Sequence, residues 1–222
     1  MEKVLKILNY RQILKKYLAE IIGTFALVFC GTGAIVINQQ SGGTVTHIGI
    51  AITFGLIVAS MIYAIGNISG AHLNPAVTIA FWVGKLFETK EVLPYLISQG
   101  IGAFLASFTL KFLFPSNEDL GSTLPVGLPM QSFVLEFILT FLLMFVIVHV
   151  AKGSKEQGMF AGIAIGGVVL LEAMFAGPIS GASMNPIRSL SPAIVSGHLE
   201  HLWVYLTAPI LGSITAIFSW KI

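Results

Sequence analysis

The sequence predicts an all-α membrane protein with six transmembrane helices and two re-entrant half-helices, arranged as an inverted repeat. Three observations carry this. Of 222 residues, 55% are hydrophobic and 10% charged, with a mean hydropathy of +0.89, whereas soluble domains are about 25% charged. Six apolar runs are long enough to cross about 30 Å of hydrocarbon, which takes roughly 20 helical residues. Two short stretches echo one another: Ser69-Gly70-Ala71-His72-Leu73-Asn74-Pro75-Ala76-Val77-Thr78 and Ser180-Gly181-Ala182-Ser183-Met184-Asn185-Pro186-Ile187-Arg188-Ser189.

In chain order, residues 1–16 form a basic N-terminal segment. No run of small residues resembling a cleavage site comes after it, so the next stretch reads as a retained span rather than a removed signal. The spans are Tyr17–Asn38, Ile48–Gly66, Val92–Phe114, Gln131–Ala151, Gly158–Ala176 and Leu202–Trp220. In each echoing stretch Asn is a good N-cap, and Pro suits the first helical position, where its missing N–H is no loss. The segments just after the two motifs, Val77–Val83 and Ile187–Val195, are apolar but too short to span. The order is long, long, short, long, stated twice: a first repeat over 17–114, an extracellular connecting loop over 115–130, and a second repeat over 131–222.

The halves also match elsewhere. Ala19-Glu20-Ile21-Ile22-Gly23-Thr24-Phe25 resembles Leu135-Glu136-Phe137-Ile138-Leu139-Thr140-Phe141, and Gly102 aligns with Gly212. Three spans per copy is odd, so the second copy enters the bilayer upside down. Inverted repeats of this kind place a solute site near the midplane, marked by interrupted helices. Ten of the twelve basic residues (Lys3, Lys6, Arg11, Lys15, Lys16, Lys85, Lys90, Lys152, Lys155 and Lys221) fall on one side of this topology. The positive-inside rule makes that side, with both termini, cytoplasmic.

The two short helices then meet head to head, each N-terminus carrying roughly half a positive charge and unpaired N–H groups. Asn74 and Asn185 add amide donors there. Irregular backbone at Gly70–Leu73 and Gly181–Met184 survives at membrane depth only where it lines a wet cavity or is buried in protein. The carbonyls of Gly70, Ala71, His72, Gly181 and Ser183 are expected to form a ladder of acceptors. Acceptors on one wall, donors at the centre and apolar side chains opposite suit single-file, uncharged, hydrogen-bonding molecules.

These paired loops resemble the signature loops of the aquaporin (major intrinsic protein) family, over nearly the whole chain. Ala176–Pro186 is most similar to the plant nodulin-like branch and its bacterial relatives. The resemblance implies a homotetramer with one pore per subunit, in which an Arg and the half-helix dipoles turn away protons and cations. It also implies an outer filter of four residues. Counted from the Asn-Pro motifs these are Phe54, twenty before Asn74; Ala173, twelve before Asn185; Ala182, three before it; and Arg188. Water-selective members carry His at the position of Ala173, so this filter is expected to be wider and more apolar. Glycerol facilitators carry Trp where this chain has Phe54, and Asp where it has Ser189, so the filter matches neither type in full.

Two departures stand out. The second motif reads Asn-Pro-Ile, so Ile187 either narrows the midplane or packs against a neighbouring helix. Glu172, an ionisable residue inside a span, is a functional candidate by default; otherwise it captures loop N–H groups. Glu20 and Glu136, at equivalent places in both repeats, read as carboxylates supporting the two re-entrant loops. His72 either lines the cytoplasmic vestibule or is a hydrogen-bonded loop histidine. The histidines give no metal-ligand spacing, and Cys30, alone in an apolar run, reads as a packing residue.

The expected function is a passive channel for water and small neutral solutes: glycerol-sized polyols, and boric or arsenous acid. Ions and protons are excluded, no cofactor or metal is needed, and the site is the inner (plasma) membrane. The alternatives are a strict water channel and, from another class, a proton- or ion-coupled transporter that uses Glu20 and Glu136. No enzyme is expected, since no nucleophile, base and orienting group converge. The small net charge of +2 and scattered basic residues carry no nucleic-acid signal.

Overall fold

In a computed structural model, the backbone is described from residue 2 and side chains from residue 11. Lys3 and Lys6, placed on the cytoplasmic side by the sequence, therefore have side chains outside the described residues. Among the described residues nine helices run in order: α1 (Glu2–Gln40), α2 (Thr46–Ser69), α3 (Pro75–Val83), α4 (Thr89–Leu113), α5 (Pro129–Lys152), α6 (Lys155–Met159), α7 (Ala161–Ser180), α8 (Pro186–Ser196) and α9 (Leu202–Trp220). Six of these are long and apolar enough to cross a membrane: α2, α4, α5, α7, α9 and the Arg11–Gln40 part of α1. Between them lie the short α3 and α8.

One boundary is corrected. The sequence places the start of the fifth span at Gly158, but Gly158 belongs to α6, and the span begins at Ala161. The physical reason is local. Ser154 accepts the Gln157 N–H while the Gln157 side chain accepts the Ser154 N–H, a capping box that starts a separate turn.

Packing obeys the duplication: α1 lies on α4, and α5 on α9, while α2 and α7 pair across the repeats. Two equivalent glycines permit the first two contacts. A side chain on Gly102 would collide with the Ile21 carbonyl, and one on Gly212 with that of Phe137. Large apolar side chains such as Leu56, Phe108, Phe112, Ile163 and Leu171 remain exposed on the outside of the bundle. That is expected when the solvent is lipid and only the backbone polar groups must be satisfied internally. The fully buried side chains include Arg188, Gln99, Glu20 and Glu136, so polar groups gather inside the bundle while its flanks are apolar.

Candidate functional site: a cavity at the junction of two loops

Each short helix starts as its sequence demands. The Asn74 Oδ1 accepts the Ala76 N–H at 2.9 Å, and the Asn185 Oδ1 accepts the N–H groups of Ile187 (3.1 Å) and Arg188 (3.4 Å), with Pro75 and Pro186 at the first helical positions. The other end of each amide reaches across the repeats. Asn74 Nδ2 donates to the Met184 carbonyl at 2.7 Å, and Asn185 Nδ2 donates to the Leu73 carbonyl at 2.9 Å. An amide nitrogen has two donors, so each asparagine keeps one N–H beyond this link.

The loops feeding these helices share an unusual backbone. Gly70, Ala71 and Leu73 in the first, and Gly181, Ala182 and Met184 in the second, have φ between 42° and 86°. For residues other than glycine such conformations cost roughly 1–2 kcal/mol each, and persist only where the surroundings impose them. Two buried carboxylates impose them here. Glu20 accepts from the Ser69 hydroxyl (2.7 Å), His72 N–H (2.9 Å), Leu73 N–H (2.8 Å) and Gln99 amide (2.9 Å). Glu136 accepts from the Ser180 hydroxyl (2.7 Å) and the N–H groups of Ser183 and Met184 (both 2.8 Å). The Tyr95 and Tyr205 hydroxyls complete the pattern by donating to the Ser69 and Ser180 carbonyls at 2.7 and 2.8 Å. Among the described residues no donor pairs with the carbonyls of Gly70, Ala71, His72, Gly181, Ala182 or Ser183.

A cavity of about 770 Å³ runs along this junction, from Ser154, Lys155 and Met159 at one end, past Asn74 and Asn185, to Arg188. Gly70, Ala71, His72 and Ser183 line it, and so do Phe54, Ala173, Ala182 and Arg188. The facing surface is apolar: Leu27, Val58, Val77, Leu143, Ile147 and Val169. Arg188 is almost wholly buried. Its Nη1 donates to the Gly121 carbonyl at 2.9 Å, its guanidinium carbon stands 5.1 Å from the Phe54 ring centroid, and its Nε has no partner among the described residues. A guanidinium over an aromatic face is held by the ring quadrupole.

Several sequence expectations are sorted by this geometry. Gly181 does not line the cavity: its left-handed backbone ends α7 and packs on Thr123. Pro75, Ala76, Pro186 and Ile187 also stand behind the wall, and Ile187 packs in the apolar core. His72 takes both suggested roles. Its Nδ1 pairs with the Thr78 hydroxyl at 3.0 Å, its ring contacts Phe81, Phe87 and Tyr95, and it faces the cavity. Glu172 does not capture loop N–H groups. It is 3% exposed with neither oxygen partnered among the described residues, while the N–H groups of Ser183 and Met184 go to Glu136. Neither Glu20 nor Glu136 lines the cavity, as a coupled transporter would require.

Sequence reasoning missed Tyr95, Tyr205, Gln99 and the contribution of the connecting stretch. That stretch supplies the Gly121 carbonyl to Arg188, the Thr123 hydroxyl to Ser189 (2.7 Å) and the Val126 N–H to Ile179 (3.0 Å). The tyrosines were findable, since the offset that aligns Gly102 with Gly212 also aligns Tyr95 with Tyr205.

Comparison with known proteins agrees with this architecture. Residues 8–220 match the family model described as "Major intrinsic protein". The chain is 48% identical over 210 residues to "Aquaporin NIP1-1" of Oryza sativa subsp. japonica, covering 94% of this chain and 74% of that one. It is 47% identical over 210 residues to "Nodulin-26" of Glycine max, covering 94% and 78%. Among solved structures, the aquaglyceroporin from Plasmodium falciparum superposes with a TM-score of 0.85 at 26% identity, covering 94% of this chain and 96% of the other. With the motifs, the duplicated helices and these matches in agreement, the chain belongs to the major intrinsic protein family.

Proposed function

We propose that this protein is a passive channel for water and small neutral solutes. The single observation that carries the proposal is the central cavity, walled on one side by loop backbone and the two Asn amides and on the other by apolar side chains. A molecule crossing it exchanges water hydrogen bonds for carbonyl acceptors and amide donors, so a neutral guest is compensated for its lost hydration. A cation is not compensated at the junction, where two helix N-termini and the Arg188 guanidinium present positive charge. Kinship with nodulin-like aquaporins and likeness to an aquaglyceroporin support the same solute class.

The finer reading places the size filter at Phe54, Ala173, Ala182 and Arg188, all of which line the same cavity. Two alanines leave this constriction room for glycerol-sized polyols and for boric or arsenous acid. The protein works as a homotetramer in the plasma (inner) membrane, with the Lys85, Lys90, Lys152, Lys155 and Lys221 end cytoplasmic.

The test is stopped-flow light scattering on proteoliposomes. The expected result is faster swelling than empty liposomes in glycerol and boric acid gradients, and faster shrinkage under an impermeant osmolyte. Ala173→His combined with Ala182→Thr narrows the opening and restores polar groups, so it is expected to spare water while suppressing the larger solutes. Full retention of polyol uptake in that variant removes these positions from the filter. No acceleration by the parent for any solute but water selects the strict water channel instead.

A further inference from the structure

Helix α7 contains Pro178, two residues before its end. Proline has no amide hydrogen, so the carbonyl four residues earlier, that of Met174, lacks its helical donor. His47, in the first turn of α2, supplies one: its Nε2 lies 2.6 Å from the Met174 oxygen. A carbonyl only accepts, so the proton sits on Nε2. The imidazole is seated on Gly177, where an added Cβ would lie 2.8 Å from the His47 ring.

The duplication supplies a control. At the offset of 111 residues that aligns the two Asn-Pro motifs, Pro178 corresponds to Asn67 of α2, which has an N–H, and His47 corresponds to Gly158. Of the two α2–α7 contacts that the duplication relates, one therefore has both the freed carbonyl and a histidine, and the other has neither. The place is significant because Met174 comes directly after Ala173, and His47 lies two turns before Phe54 on the facing helix. Both Ala173 and Phe54 line the cavity.

We propose that His47 is a positioning residue for the outer filter. By donating to the carbonyl that Pro178 leaves free, it fixes the outer end of α7 against α2, and with it the gap between Ala173 and Phe54. The inference rests on the filter assignment proposed above. Without the bond, a helix already interrupted at Pro178 has nothing holding the unpaired carbonyl, and the opening samples a range of widths. Discrimination by size is then blurred rather than flow abolished.

The experiment measures glycerol and ribitol permeability in proteoliposomes. His47→Phe keeps an aromatic ring on Gly177 and removes the donor, whereas His47→Gln returns an N–H. His47→Phe is expected to raise the ribitol-to-glycerol ratio by about threefold or more, with His47→Gln within about twofold of the parent. Gly177→Ala pushes the imidazole off the carbonyl, so it is expected to reproduce His47→Phe, and it takes that variant's place if His47→Phe does not assemble. Ala173→Val, run alongside, reports on the filter itself. If Ala173→Val moves the ratio while His47→Phe and Gly177→Ala leave it at the parental value, the proposal is overturned and the filter assignment stands. If none of the three moves it, the filter assignment falls as well. An equal shift in His47→Phe and His47→Gln overturns the donor role.

Discussion

Asn74 and Met184, far apart in sequence and in opposite halves of the chain, are joined by a 2.7 Å hydrogen bond from amide to carbonyl, and Asn185 returns the link to Leu73. Each asparagine thus starts its own helix and ties it to the other copy. Asn74→Asp keeps the oxygen that accepts from Ala76 but sets a second oxygen against the Met184 carbonyl. The expected cost is about 1–3 kcal/mol of stability, the usual penalty for an unpaired buried polar group. Thermal unfolding in detergent checks it, and proteoliposome water permeability is expected to fall in parallel.

The buried glutamates separate into two kinds. Glu136 is fully hydrogen-bonded to the second loop, and Glu172 has no partner among the described residues. Glu136→Gln turns an acceptor facing an N–H into a donor, and is expected to cost about 1–3 kcal/mol. Glu172→Leu removes two unsatisfied oxygens and keeps the volume, so its expected effect ranges from neutral to a gain of about 1 kcal/mol. Unfolding midpoints of both variants, measured side by side, decide the matter. A larger loss for Glu172→Leu than for Glu136→Gln would contradict the assignment of bonds.

Arg188 places a buried formal charge on the cavity lining beyond the two asparagines, and it is held by the Gly121 carbonyl and the Phe54 ring. Arg188→Val is expected to raise the leak of protons or monovalent cations above that of the parent. A pH-sensitive dye inside proteoliposomes under an imposed proton gradient reports it. An unchanged, near-zero leak would show that the helix N-termini alone suffice.

Tyr95 and Tyr205 make equivalent bonds, hydroxyl to carbonyl, in the two copies. Each Tyr→Phe change is expected to cost about 0.5–1.5 kcal/mol, and the double variant their sum, because the sites share no partner. Chemical or thermal unfolding of the three variants tests both size and additivity.

The spans, the Asn caps and the supporting roles of Glu20 and Glu136 were legible because each rests on a local rule: apolar length, a side chain suited to an N-cap, a repeated residue. The α6 turn was legible in principle, since Ser154 and Gln157 have capping-box spacing, but both precede the apolar run whose first residue, Gly158, marked the start of the span. The left-handed conformations of Ala71, Leu73, Ala182 and Met184 were not legible. No propensity favours them, and they exist because distant carboxylates hold the flanking N–H groups. The loop-capturing alternative for Glu172 failed for the same reason: its place in the chain does not reveal that Glu136, on α5, accepts the N–H groups of Ser183 and Met184.

The offset relating the two loops, applied to the residues around Arg188, bears on traffic through the protein. Phe54, Ala173, Ala182 and Arg188 map onto Ile165, Ile62, Ala71 and Val77, and all four counterparts also border the passage. A scaffold with near two-fold symmetry therefore encloses a lopsided conduit, with a guanidinium at one mouth and a greasy collar at the other. The collar still offers acceptors, because the unpaired Gly70, Ala71 and His72 carbonyls border the same passage, whereas the opposite mouth adds a buried cation. Inbound and outbound passengers cross one and the same landscape, but it has no mirror symmetry about the midplane.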